Sequence, residues 1–102
     1  MKLKYRPAAI SDIQNACGYI RDQLKNPKAA KNLKSKLLSG ASLLKDSPYM
    51  GTSLDSKFDG LETGIRFLAV SKHMIFYEVH DDRIEIVRIL DGRTDYLSNL
   101  FG

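Results

Sequence analysis

The hydrophobic and polar positions of the chain change period several times, and each change marks an element. Lys2, Leu3, Lys4, Tyr5 and Arg6 alternate, so Leu3 and Tyr5 fall on one face of a strand and the basic side chains on the other. Lysine on that second face suits a sheet edge, and Pro7 ends the run. Ile10, Ile13, Cys17, Ile20 and Leu24 then recur at helical spacing and predict one apolar stripe. This helix starts either at Pro7 or a turn later, where Ser11 and Gln14 have the spacing of a capping box. Asn26 and Pro27 close it and open a second helix, Pro27 to Leu44, with the stripe Ala30, Leu33, Leu37, Ala41 and Leu44. The link is so short that the two helices must pack as an antiparallel hairpin. From Ser47 to about Leu61 no period is visible, and a loop is expected.

Three apolar runs follow: Ile65 to Val70, Met74 to Val79, and Ile84 to Leu90. Their connections are too short for anything but antiparallel neighbours. Asp91-Gly92 is a turn signal, and Thr94 to Phe101 has the makings of a short helix capped by Asp91 or Thr94. The expected fold is therefore α+β, in the order β-α-α-β-β-β-α, as a single domain over residues 1–102. An N-terminal strand and a two-helix hairpin precede a three-stranded antiparallel meander, and the first strand completes a four-stranded sheet.

Two arginines interrupt the apolar strands. Arg66 should point away from the face shared by Ile65 and Phe67, whereas Arg88 should share a face with Ile84, Ile86 and Leu90. An arginine is rarely buried alone. Each is expected either to reach a carboxylate such as Glu78 or Glu85 or to line an anion-binding groove, and the pattern leaves both open.

Composition narrows the rest. At 102 residues, 43% hydrophobic and 27% charged, the chain has room for one modest core. A net charge of +4 favours acidic partners, nucleic acid or protein. The densest lysine cluster, Lys28, Lys31, Lys34 and Lys36, lies mostly off the stripe of its helix and reads as a solvated face. The single cysteine falls within an apolar stripe and reads as a small core hydrophobe, so no internal disulfide is expected. His73 and His80 sit at turns far from Cys17, which leaves no zinc ligand set and no cofactor implied. No apolar run approaches a membrane span, and Lys2, Lys4 and Arg6 stand where a signal peptide needs its apolar segment. A cytoplasmic protein is expected.

The candidate chemistry is in the tail, where Arg93 and Tyr96 stand just past the last strand. Several stretches in this order resemble the RelE/ParE superfamily of bacterial toxins from type II toxin–antitoxin systems. They are Tyr5-Arg-Pro-Ala-Ala-Ile-Ser-Asp-Ile, Asn26-Pro-Lys-Ala-Ala, Ser47-Pro-Tyr-Met-Gly, Gly64-Ile-Arg-Phe-Leu with Met74-Ile-Phe-Tyr, and Val87-Arg-Ile-Leu-Asp-Gly-Arg-Thr-Asp-Tyr96. The resemblance implies a toxin neutralised by a cognate antitoxin laid across its sheet and helices. It also implies one of two targets: RelE-type members cut mRNA in the ribosomal A site, and ParE-type members poison DNA gyrase without nuclease activity.

Cutting RNA through its own 2′-hydroxyl needs proton transfer at both oxygens and cations on the phosphate, and no metal. By resemblance, Arg66 and Arg93 would clamp the phosphate, Tyr96 would transfer a proton or stack on a base, and Lys57 would be an auxiliary cation. Those roles make the ribosome-dependent ribonuclease the expected activity, with ribosome and mRNA as partners. Asp59 departs from the pattern, standing near where a second loop lysine belongs. The alternatives are a gyrase inhibitor and a non-toxic binding module of the same fold, and they need no catalytic set. The arrangement makes a phosphate site only if Arg66, Arg93, Tyr96 and Lys57 face one groove.

Overall fold

The computed structural model describes residues 1–102. Its elements are β1 (Lys2–Tyr5), α1 (Pro7–Gly18), α2 (Pro27–Leu43), β2 (Thr52–Ser53), α3 (Leu54–Lys57), β3 (Ile65–Val70), β4 (His73–Val79), β5 (Arg83–Asp91) and α4 (Tyr96–Phe101). The sheet order is β1-β5-β4-β3-β2. The α+β class and the element order are as expected, but the sheet is mixed and has five strands rather than four. β1 runs parallel to β5 at the edge, pairing Lys2 with Arg83 and Tyr5 with Ile86, while the meander is antiparallel. The fifth strand, two residues long, pairs Thr52 and Ser53 with Phe67 and Arg66. It and α3 lie in the stretch expected to be loop, and both are too short to show a period.

The helices follow the sequence with two local departures. Asn26 caps α2 through its side-chain oxygen, which accepts from Ala29 N at 3.1 Å. The predicted α2 stripe is buried throughout, with Leu37, Ala41 and Leu44 at no exposure. α1 starts at Pro7, so the Ser11–Gln14 box is not used. Beyond Gly18 it continues as a π-helical stretch, Tyr19–Gln23. A π turn holds one residue more than an α turn. Leu24 therefore leaves the stripe and is exposed, as is Ile10 on the flank of the buried Ala9 and Ile13. Cys17 is half-buried against the core. At the other end, Asp95 caps α4 by accepting from Ser98 N, in place of Asp91 or Thr94.

Two cores flank the sheet. On one face, Ala9 and Ile13 of α1 and Leu33, Leu37 and Ala41 of α2 pack on Ile75, Tyr77, Ile84, Ile86 and Ile89. On the other, Leu54, Ile65, Met74 and Phe76 form a smaller core under Phe58, Tyr96, Leu97 and Leu100. The central strand β4 is covered on both sides, so Met74 through Tyr77 are all buried. No helix is long and apolar enough to cross a membrane.

A β-bulge corrects the expectation for Arg88. In the β4–β5 ladder Tyr77 pairs with Ile86 but Phe76 pairs with Arg88, so Val87 is an extra residue. One inserted residue inverts the alternation. Ile84, Ile86 and Ile89 face the helical hairpin, Val87 and Leu90 face the second core, and Arg88 no longer shares a face with Ile84 and Ile86. The partner of Arg88 is neither Glu78 nor Glu85. Its Nε and Nη2 donate to Asp12 of α1 at 2.7 and 2.9 Å, and its Nη1 donates to Asn99 O of α4 at 3.2 Å. Asp12 also accepts from Ile89 N at 2.9 Å, capping β5 where β1 has ended. Arg88 thus ties α1 and α4, which pack on opposite faces, to one strand edge.

Candidate functional site

Lys57 and Tyr96 come together on the face of the smaller core. α3 is one turn, opened by Ser53, whose hydroxyl accepts from Ser56 N, and it carries Lys57 at its end. Asp55 in the same turn accepts from Thr63 N, Thr63 Oγ1 and Gly64 N, which pins the following loop back to β3. α4 brings Tyr96 over the sheet, its ring 5.4 Å from that of Phe76 and 6.3 Å from that of Phe58. The Lys57 ammonium donates to Tyr96 Oη at 3.2 Å and lies 5.3–5.8 Å from the ring centroids of Phe67, Phe58 and Tyr96. Aromatic faces stabilise a cation at such distances. This pair can offer a phosphate two hydrogen-bond donors and one positive charge. It contains no carboxylate or imidazole to act as a base.

The other two residues are elsewhere. Arg66 pairs with Tyr77 in the ladder and shares its face, which belongs to the helical hairpin, while Phe67 pairs with Phe76 on the face of Lys57 and Tyr96. Its Nη2 donates to Gly51 O at 2.8 Å and Tyr49 O at 3.2 Å. Alternation told the face of Arg66 correctly. Nothing in the sequence told that its partners are loop carbonyls and not a carboxylate. Arg93 sits past the end of β5 and is largely exposed. Its Nε and Nη2 grip Asp91 at 3.0 and 2.7 Å, and its backbone N–H adds a third bond at 2.9 Å. These bonds hold the Asp91 carboxyl far below the usual carboxylate range. Arg93 also borders a groove of about 500 Å³ lined by Asp12, Tyr19, Ile20, Leu24 and Ile89, which opens beside α1. The four candidates therefore do not share one groove.

A second polar cluster went unanticipated because Arg6, which joins it, is more than seventy residues away from Glu78, His80, Arg83 and Glu85. Arg6 donates to Glu85 at 2.9 Å and Glu78 at 2.8 Å, and Arg83 donates to Glu85 at 2.8 Å. His80 Nε2 lies 3.1 Å from Glu78 and 3.3 Å from Glu85. Glu78, His80 and Glu85 present ligand atoms within 4.8 Å of one another. Both carboxylates, however, are already engaged by arginine, and a metal ion would have to displace those bonds. The network clasps β1 to β5 and β4.

The hydrogen bonds from Arg6 and Arg83 hold the Glu85 carboxyl below its ordinary value, as those from Thr63 and Gly64 do for Asp55. A carboxylate that binds its proton more weakly when folded stabilises the fold above its unfolded pKa of about 4, and this is lost as pH falls through the lower folded value. Thermal melts between pH 7 and pH 2 should show the melting temperature dropping through that window. Glu85→Gln should flatten part of the drop, and an acid limb unchanged by that substitution would exclude Glu85 as a contributor.

With the geometry in place, the chain can be set beside known proteins. No curated protein matches its sequence. Among solved structures, a chain of the chromosomal ParDE TA system from P. aeruginosa superposes with a TM-score of 0.73 at 20% identity, covering 89% of this chain and 95% of that one. At that identity the likeness speaks for the fold alone. The sequence itself matches the family model described as "ParE toxin of type II toxin-antitoxin system, parDE" over residues 3–96, nearly its whole length. The chain belongs to the ParE toxin family of type II toxin–antitoxin systems.

Proposed function

We propose that this toxin arrests growth by binding and inhibiting DNA gyrase, and that it does not cut RNA. Its second partner is a cognate antitoxin that neutralises it, and both encounters take place in the cytoplasm. The observation that carries this reading is the separation of the four residues a ribonuclease would use. Arg66 lies behind the sheet from Lys57 and Tyr96, and Arg93 is held by its own Asp91. A pentacovalent phosphate needs its cations and proton carriers within hydrogen-bond reach of one group. A gyrase inhibitor needs only a surface. The match to the ParE family supports the same reading.

One observation favours RNA cleavage as the second reading: Lys57 and Tyr96 are in contact and accessible on one face. Expression without antitoxin separates the two. Gyrase inhibition predicts loss of plasmid supercoiling and an SOS response with intact mRNA, and it predicts that Lys57→Ala combined with Tyr96→Phe remains toxic. Prompt arrest of translation with cut mRNA, abolished by that double variant, would sink the proposal.

A further inference from the structure

Five of the six arginines meet a carboxylate: Arg6, Arg21, Arg83, Arg88 and Arg93. Arg66 does not. Its Nη2 serves the carbonyls of Tyr49 and Gly51, its Nε is buried without a partner, and its guanidinium carbon lies 5.4 Å from the centre of the Tyr49 ring. A half-buried cation thus stands behind the short loop Ser47–Gly51. The far end of that loop is fixed as well. Gly51 N donates to the hydroxyl of the fully buried Tyr77 at 3.0 Å. A Cβ at Gly51 would lie 2.6 Å from both Phe67 O and Tyr77 Oη, so only glycine fits the approach.

What this rigid loop displays is apolar. Tyr49 is 66% exposed and Met50 48% exposed. Leu43, whose carbonyl accepts from Ser47 N where the loop begins, is 57% exposed. Aromatic side chains on a fixed backbone lose little freedom when a partner covers them, and tyrosine and arginine dominate binding energy at protein interfaces. Burying Arg66 against carbonyls alone leaves its charge uncompensated, which a partner's carboxylate would correct.

We propose that the Ser47–Gly51 tip, with Tyr49 and Met50 as anchors and Arg66 behind them, is the surface through which this toxin grips its protein target. The matching surface is a cleft with apolar walls and a carboxylate at its rim. Protein is favoured over nucleic acid by the company of Tyr49. A nucleic-acid groove sets its aromatics among several cations, whereas Tyr49 has one, Arg66, at its ring and the exposed, apolar Met50 next to it in the chain, and Lys28, Lys31, Lys34 and Lys36 belong to the earlier part of α2.

That the target is gyrase rests on the reading above; the role of the tip does not. Purified wild-type protein, Tyr49→Ala, Met50→Asp and Tyr49→Phe are titrated into a supercoiling reaction with DNA gyrase and relaxed plasmid, with a thermal melt of each. Tyr49→Ala and Met50→Asp, melting near the wild type, should need at least about thirtyfold more protein for half-inhibition, the weight of one interface hot spot. Tyr49→Phe, which keeps the ring, should match the wild type. Inhibition by both of the first two variants at wild-type concentrations overturns the tip while leaving gyrase as the target. If the wild type itself does not inhibit gyrase, the proposed target falls and the same variants are compared for growth arrest. Arrest as strong as wild type then overturns the tip, and arrest lost at unchanged melting temperature upholds it. Loss of mRNA cutting in these variants would assign the tip to nucleic acid and overturn a protein partner.

Discussion

Replacing Phe76 with alanine should lower the unfolding free energy by about 3–5 kcal/mol, the usual result of emptying a buried phenylalanine site. Phe76 has no exposure, stands in the central strand and packs against the rings of Phe67 at 6.1 Å and Tyr96 at 5.4 Å. The smaller core has four buried members, and no other phenylalanine is among them. The neighbouring Phe67 is fixed in β3 and Tyr96 opens α4, so the site closes only partly over the cavity. For a domain this size the loss corresponds to a melting temperature lower by about 15–25 °C. Circular dichroism would measure it, and amide exchange should rise most in α4, whose Tyr96 loses its floor. A drop below about 5 °C would mean that this face contributes little to global stability.

Asp12→Ala should cost about 2–3 kcal/mol, or roughly 10–15 °C. The substitution removes one carboxylate and orphans three donors: Arg88 Nε, Arg88 Nη2 and Ile89 N. The Asp12 side chain is 10% exposed and that of Arg88 27%, so water replaces these bonds poorly but not negligibly. For that reason the expected loss sits below the range for a fully buried pair. Asp12→Asn keeps an acceptor for Ile89 N and should lose less. Equal melting temperatures for Asp12→Ala and wild type would show that the clasp is not stabilising.

Why some of this was legible in the sequence and some was not follows from distance along the chain. The α2 stripe, the lysine-edged first strand and the three-strand meander depend on neighbours a few residues apart, and their periods express those contacts. The bulge at Val87 depends on how β5 meets β4, so alternation counted from Ile84 assigned Arg88 to the wrong face. The π stretch after Gly18 likewise moved Leu24 outward without any break in the apolar spacing. β2 spans two residues, fewer than one full alternation. Of the candidate residues, three cations and one phenol, Lys57 does meet Tyr96. Whether four side chains face one groove is set by which side of the sheet each strand presents, and by partners such as Gly51 O for Arg66. No pattern within a short window carries that information.

The parallel pairing of β1 with β5 joins residues 2–5 to residues 83–86. That join sets a timetable for synthesis. The first strand leaves the ribosome early and must wait, unpaired, for almost the whole chain before its only neighbour appears. The helical hairpin can form in the meantime, but its apolar face has no sheet to cover until β4 and β5 emerge. Such long-range closure is slow and leaves sticky intermediates. A nascent toxin therefore has no finished surface to act with until β5 has emerged, and that interval is when a resident antitoxin can meet it first.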